Sequence, residues 1–131
     1  MAGSFTDYLE DKLLKHTFTN TAFTSPTAVY LGLFTSAPTD TGGGTELSGN
    51  AYARHAVTFA VSGTSPTLAT NSSAIEYPTA TASWGTLVAV AVFDASTSGN
   101  MLAWADLASN RTVGSGDIFR IPANDLDITL A

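Results

Sequence analysis

The hydrophobic positions of this chain change period once. From residue 4 to residue 18 they follow helical spacing. Phe5, Leu9 and Leu13 fall at i, i+4 and i+8, and Leu14 and Phe18 widen the stripe. Ser4 is the expected N-cap, with Asp7 three residues on as its capping-box partner. Asp7, Glu10 and Asp11 lie in the first half, and Lys15 and His16 lie in the last turn, the order that complements the helix dipole. The pattern predicts one helix over 4–18.

Beyond it the period is two. Residues 28–35 alternate Val29, Leu31 and Leu33 with Tyr30, Gly32 and Phe34, a strand with apolar residues on both faces. Residues 36–50 carry Pro38, Asp40, Gly42, Gly43, Gly44, Gly49 and Asn50, which predicts a long loop of the functional or mobile kind. His55 to Val61 reads as a second strand, with Val57, Phe59 and Val61 on one face, and residues 62–73 read as polar and turn-like. Ala74 to Tyr77 is a short strand stopped by Pro78. Thr86 to Asp94 leaves neither face polar and is the most deeply buried strand expected. Met101 to Leu107 is its hairpin partner across the turn at 96–100. After another turn at Ser115-Gly116-Asp117, strands at 118–121 and 126–130 close the chain. No internal repeat is visible. The expectation is one domain over 1–131: a mainly β antiparallel sandwich or partly open barrel of about six to eight strands, spanning 28–131, with one N-terminal helix.

Composition narrows the class of function. The chain has 131 residues, enough for a real core without staples. Only 12% of residues are charged, about half the usual share, and Ser and Thr fill much of the gap. A neutral hydroxyl-rich surface suits packing against other subunits, since no large charge has to be desolvated there. The net charge is -6. The basic residues Lys12, Lys15, Arg54, Arg111 and Arg120 are scattered, so no stripe tracks a phosphate backbone and no nucleic-acid partner is expected. With Cys 0, disulfides, thiolate metal sites and thiol nucleophiles are excluded. The start Met-Ala-Gly-Ser-Phe does not read as a signal peptide. The longest apolar run, Leu87 to Phe93, is too short to span a bilayer, and no membrane partner is expected.

Candidate chemistry is sparse. His55, Asp94 and a serine assemble a hydrolytic set on paper, but no G-x-S-x-G elbow occurs. The plainer reading puts His16 at a helix end and His55 at a strand edge. Asp125 and Asp127 alternate in phase and could serve Ca²⁺ or acid–base work, yet nothing around them has ligand spacing, and solvated strand-face charges are the plainer reading. Gly42-Gly43-Gly44 lacks the Lys-Ser/Thr of a phosphate loop and reads as a flexible linker. Asn71-Ser72-Ser73 and Asn110-Arg111-Thr112 match the glycosylation sequon by chance. Trp84 and Trp104 suit either carbohydrate stacking or core packing, and Trp84, entering the most apolar strand, is expected to be buried. The expectation is no enzyme, no cofactor and no metal.

Several segments, in order, resemble a widespread family of small structural proteins of tailed bacteriophages and prophages, often labelled tail-fibre, head-fibre or virion structural proteins. They are Phe5-Thr-Asp-Tyr-Leu-Glu-Asp-Lys-Leu-Leu14, Val29-Tyr-Leu-Gly-Leu-Phe-Thr35, Ala37-Pro-Thr-Asp40, Tyr52-Ala-Arg54 and Ala80-Thr-Ala-Ser-Trp-Gly-Thr86. Phe93-Asp-Ala95, Gly99-Asn-Met-Leu-Ala103, Val113-Gly-Ser-Gly-Asp117 and Leu126-Asp-Ile-Thr-Leu130 complete the set. The resemblance implies a virion component with no known chemistry and no catalytic residue to carry over.

The leading expectation is a capsid decoration or cement protein on the capsid exterior, made in the cytoplasm of the bacterial host. It would bridge major capsid subunits as a homo-oligomer, a trimer being the first guess. A tail, baseplate or fibre-base component is the alternative, and a carbohydrate-binding module using Trp84 or Trp104 a third. Phe5, Tyr8, Leu9 and Leu13 of the helix are the expected partner contacts, against the plainer reading that they pack on their own sheet. Thr39, Asp40 and Leu47 of the long loop are the second set.

Overall fold

The structure is a computed structural model, and it describes residues 3–130. Among these the elements run β1 (Gly3–Phe5), α1 (Asp7–Phe18), β2 (Val29–Ser36), β3 (Thr45–Glu46), β4 (His55–Val57) and β5 (Phe59–Ser62). They continue with β6 (Thr67–Asn71), β7 (Ile75–Glu76), β8 (Gly85–Phe93), β9 (Met101–Val113), β10 (Arg120–Ile121) and β11 (Asp127–Leu130). The largest sheet has the order β1-β9-β8-β2-β3, with β4 pairing the other half of the β2 edge that β3 uses. A sheet of order β11-β6-β5 and a pair β10-β7 complete the fold, and every pairing is antiparallel.

The large sheet is buried on both faces at its centre, which explains the strands without a polar side. On one face Leu31, Leu33, Val90 and Val92 pack with Ile75, Tyr77, Trp84, Phe119 and Leu126. On the other, Phe34, Ala89, Ala91 and Phe93 form a separate cluster. Tyr77 organises the first: its buried hydroxyl donates to Leu31 O at 2.6 Å, and its ring stacks on Tyr52 and meets Trp84 and Phe119 edge-on. Trp84 is buried as expected, its Nε1–H donating to Asn50 O at 2.9 Å. Asn71 is fully buried. Its amide donates to Ser73 O and Pro122 O, and its Oδ1 accepts from Asp125 N and Leu126 N. That sequon is a structural joint.

The mainly β class and the single helix agree with the sequence reading; several boundaries do not. The helix starts at Asp7, and Thr6, not Ser4, is its N-cap, its Oγ1 accepting from Leu9 N. Ser4 lies in β1 opposite Trp104, so extended pairing claims the residues expected to open the helix. The strand expected over 55–61 is divided at Thr58: Val57 pairs into the large sheet and Phe59 into the small one. The segment 62–73 contains β6, which polar Thr67, Thr70 and Asn71 conceal and which is paired on both sides. The long loop also yields β3, held against Phe34 and Ser36. β9 runs on to Val113, beyond the expected end at Leu107, because Arg111, Thr112 and Val113 pair with Leu87, Thr86 and Gly85.

Candidate functional site

The second cluster floors an open cleft of about 600 Å³. Phe34 and Phe93 lie at its base, their rings parallel with centroids 6.1 Å apart. The start of α1, the Asp40–Gly44 segment, Glu46 and the Gly99–Met101 segment form its walls.

Each wall is fixed by a local rule. The β8–β9 turn is closed by Asp94, whose Oδ1 accepts from Asn100 N at 2.7 Å and whose Oδ2 accepts from the Asn100 amide at 2.9 Å. In the loop, Thr39 N–H donates to Gly42 O at 2.8 Å and Gly42 N–H donates back to Thr39 O at 2.9 Å. Gly42, Gly43 and Gly44 all have positive φ, which L side chains avoid. At Gly44 a Cβ would stand 2.6 Å from Ser36 O and 2.7 Å from Pro38 N. The glycine run is therefore a shaped turn and not the flexible linker expected from composition.

Asp40 carries this loop to the rest of the fold. Its Oδ1 accepts from Trp104 Nε1 at 2.9 Å and from Ser4 Oγ, and its backbone carbonyl accepts from Asp7 N at 2.9 Å. One residue thus joins loop, β1, β9 and the first turn of α1. The Ser4 and Trp104 hydrogen bonds favour the carboxylate and lower its pKa from 3.8.

On the opposite wall Arg54 is the joint. It grips Glu46 with two bonds of 2.8 Å, and its third nitrogen donates to Ala95 O and Ser98 O. The guanidinium carbon sits 3.5 Å from the centroid of Phe93. Tyr52 Oη donates to Glu46 at 2.6 Å while accepting from Leu33 N. Burial raises the pKa of Glu46, but the Arg54 hydrogen bonds and charge and the Tyr52 bond outweigh it, and the result lies below 4.5. Burial, and then the bond to Glu46, push the Tyr52 phenol up.

A family model described as podophage GP4 fiber I protein gp80 matches residues 4–129. The chain belongs to this family. Membership bears out the resemblance to phage virion structural proteins read from the segments above. No curated protein matches the chain. Two segments that carried the resemblance, Ala37–Asp40 and Tyr52–Arg54, supply two joints of the cleft, Asp40 and Arg54. For this gp80-family chain the cleft is a mould of backbone and committed side chains. Of the three acidic residues lining the cleft, Asp40 and Glu46 are engaged by donors from the chain itself, while Asp7, at the start of α1, is exposed.

The expected contact residues separate into groups. Tyr8 and Asp40 reach the cleft. Tyr8 also packs on the main core and meets Phe23 edge-on at 6.5 Å. Leu9 and Leu47, each partly buried, pack on that core too, Leu47 N–H donating to Leu33 O; for Leu9 this matches the plainer reading of packing on its own sheet. Leu13 is half-buried on α1, and Thr39 is exposed on the glycine turn. Phe5 lies in β1 opposite Ala103 and lines a separate apolar groove of about 310 Å³ with Val90, Val92, Leu126 and Ile128. Glu46 escapes the sequence reading, which takes Phe34 and Phe93 only as strand residues and Trp104 only as a sugar-stacking or core indole. Tyr52-Ala-Arg54, already singled out, was the signal for the Glu46 pair.

The paper catalytic set is not brought together. Asp94 closes its turn, His55 Nδ1 lies 2.6 Å from its neighbour's carbonyl, Ala56 O, and no hydrogen bond joins the two among the described residues. His16 Nδ1 accepts from Phe23 N, folding the segment after α1 back on the helix. Asp125 precedes β11 and Asp127 begins it, both exposed. No His, Cys, Asp and Glu group of metal-binding size occurs among the described residues.

Proposed function

We propose that this chain is a non-catalytic structural subunit of the virion, and that it works as a fibre-base module anchoring an appendage to the particle. The match of residues 4–129 to a family named for a podophage fibre protein carries this reading. The commitment of Asp40, Glu46, Arg54 and Asp94 to internal bonds supports it, since each is a group that chemistry would need free. The matched segment has no repeat from which a shaft is built, so a compact module at an attachment point fits better than the shaft itself.

The capsid decoration expected from the sequence is the second reading. A sparsely charged, hydroxyl-rich surface favours it, because such a surface can cover seams between capsid subunits at little desolvation cost. In either place the chain adds buried area to an assembly and transforms no substrate. The carbohydrate-binding reading loses Trp84 to the core, and Trp104 has its indole N–H held by Asp40.

Electron microscopy of purified particles labelled with an antibody to this chain tests the location. Label at a few sites where appendages leave the particle supports the fibre-base reading. Label across the whole head supports decoration and contradicts the first reading.

A further inference from the structure

Just past α1 the chain turns back along the helix it has left. Asn20, at φ 57°, makes the turn, and residues 19–28 run to β2 as a strap without regular structure. At its start Thr19 N–H and Thr21 N–H both donate to Lys15 O, at 3.1 Å and 3.2 Å. Further along, Phe23 N–H donates to His16 Nδ1 at 3.0 Å, and the Phe23 ring meets Tyr8 edge-on. The bond to His16 is the one hydrogen bond made by residues 22–28 among the described residues.

This bond exists in one protonation state. A ring nitrogen that accepts an N–H carries no proton of its own, and in the imidazolium both ring nitrogens are donors. Charged, His16 would turn an Nδ1–H on the Phe23 N–H. The side chain is exposed, so a proton reaches it without any unfolding. Imidazole is the group that ordinarily changes charge between about pH 5 and pH 8. Nothing nearby takes over its part. On α1, Lys15 is paired with Asp11 at 3.0 Å and Lys12 lies over the Tyr8 ring, while Asp7, Glu10 and the Asp40 contact belong to the opposite end of the helix. The strap contains no Asp, Glu, Lys, Arg or His. Of the strands that α1 packs on, β1 has no titratable side chain, and β9 brings Asp106 and Arg111, neither of which bonds to His16 among the described residues.

We propose that His16 and Phe23 form a proton-operated clasp. With His16 neutral, the strap is fastened along α1. Protonation of His16 breaks the bond, and residues 22–28 swing free between two fixed points, the Lys15 carbonyl and the start of β2. Phe23 then leaves the edge of Tyr8. Tyr8 lines the cleft, so the state of the strap is felt in the cleft wall. The bonds of Thr19 and Thr21 to Lys15 O involve no titrating group and hold in both states, which confines the change to the strap and leaves α1 intact. The device goes beyond the structural role proposed above and is the same at a fibre base or on the shell.

The test is nuclear magnetic resonance of the purified full chain, labelled with nitrogen-15 and titrated from about pH 8 to pH 5. The Phe23 amide shift should move with the same midpoint as the His16 ring. Its exchange protection, corrected for the pH dependence of free amides, should fall about fivefold, the loss of one hydrogen bond. His16→Asn places a non-titrating oxygen where Nδ1 stands, so the Phe23 amide should stay protected and still across the whole range. His16→Ala removes the acceptor, and the amide should be open at both ends. His55→Asn removes the other histidine and should leave the transition as it is in the parent. A Phe23 amide that keeps its shift and protection while His16 titrates would overturn the proposal. So would a transition that survives in His16→Asn or vanishes in His55→Asn.

Discussion

Arg54 and Glu46 meet through two parallel hydrogen bonds of 2.8 Å, and the pair ties β3 to the β8–β9 turn across the ring of Phe93. The guanidinium is largely buried and the carboxylate partly so. Removing the cation leaves Glu46 without its main partner in a partly desolvated place. Arg54→Ala should therefore lower unfolding free energy by about 3 kcal/mol. Arg54→Lys should recover less than half of that, because an ammonium cannot make the planar fork. Urea unfolding of the two variants beside the parent chain measures both.

Asp40 and Glu46 both titrate lower in the folded chain than their ordinary values of 3.8 and 4.5. A group whose folded pKa is depressed contributes stability above its unfolded pKa and loses it as pH falls through the folded one. Stability should thus be level through neutral and mildly acidic pH and drop below about pH 4. Asp40→Asn should be less stable than the parent at pH 7, and the difference should shrink toward zero at lower pH. Unfolding midpoints measured from pH 2 to pH 7 check the direction; a gap that widens in acid would contradict it.

Gly43 and Gly44 are adjacent and both have positive φ, but their surroundings differ. A Cβ at Gly43 meets nothing within 4 Å, while at Gly44 it meets backbone atoms of Ser36 and Pro38 under 3 Å. Gly43→Ala should cost about 1 kcal/mol, the strain of a left-handed residue. Gly44→Ala should cost roughly 3 kcal/mol, because the backbone itself has to move. Thermal unfolding of the two single variants separates the effects.

Trp84 is 5% exposed, whereas Trp104 is half-buried at the edge of the second cluster. Acrylamide should quench the Trp84→Phe variant, which retains Trp104, more strongly than the Trp104→Phe variant. Trp84→Ala should also destabilise the chain by about 3–5 kcal/mol, as for a large core aromatic. Easy quenching of Trp84 would restore the case for a sugar-stacking indole.

The parts of the fold legible in sequence are those where one side chain pattern has one physical meaning. Val29 to Phe34 and Leu87 to Phe93 announce strands buried on both faces, and the structure covers both faces. Thr67 to Asn71 announces nothing, because β6 owes its place to ladders on both sides and to the Asn71 joint, not to an apolar face. The division at Thr58 is equally silent: Val57, Phe59 and Val61 keep perfect alternation while the chain changes sheets. At the cleft, Asp40 was legible as a loop residue, but its bond to Trp104 spans 64 positions and no local pattern encodes it. Arg54 with Glu46 escaped for the same reason, since their spacing fits neither a helix face nor a simple hairpin. Leu9 and Leu47, apolar residues expected at a partner, are partly buried against the chain's own core, a placement that local pattern does not distinguish from a partner face.

The most direct measurement is quantitative mass spectrometry of gradient-purified, intact particles. A virion structural protein should be present at a fixed ratio to the major capsid protein through successive gradients and salt washes. A polypeptide found in infected cells yet absent from intact particles would contradict the reading of this chain as part of the virion.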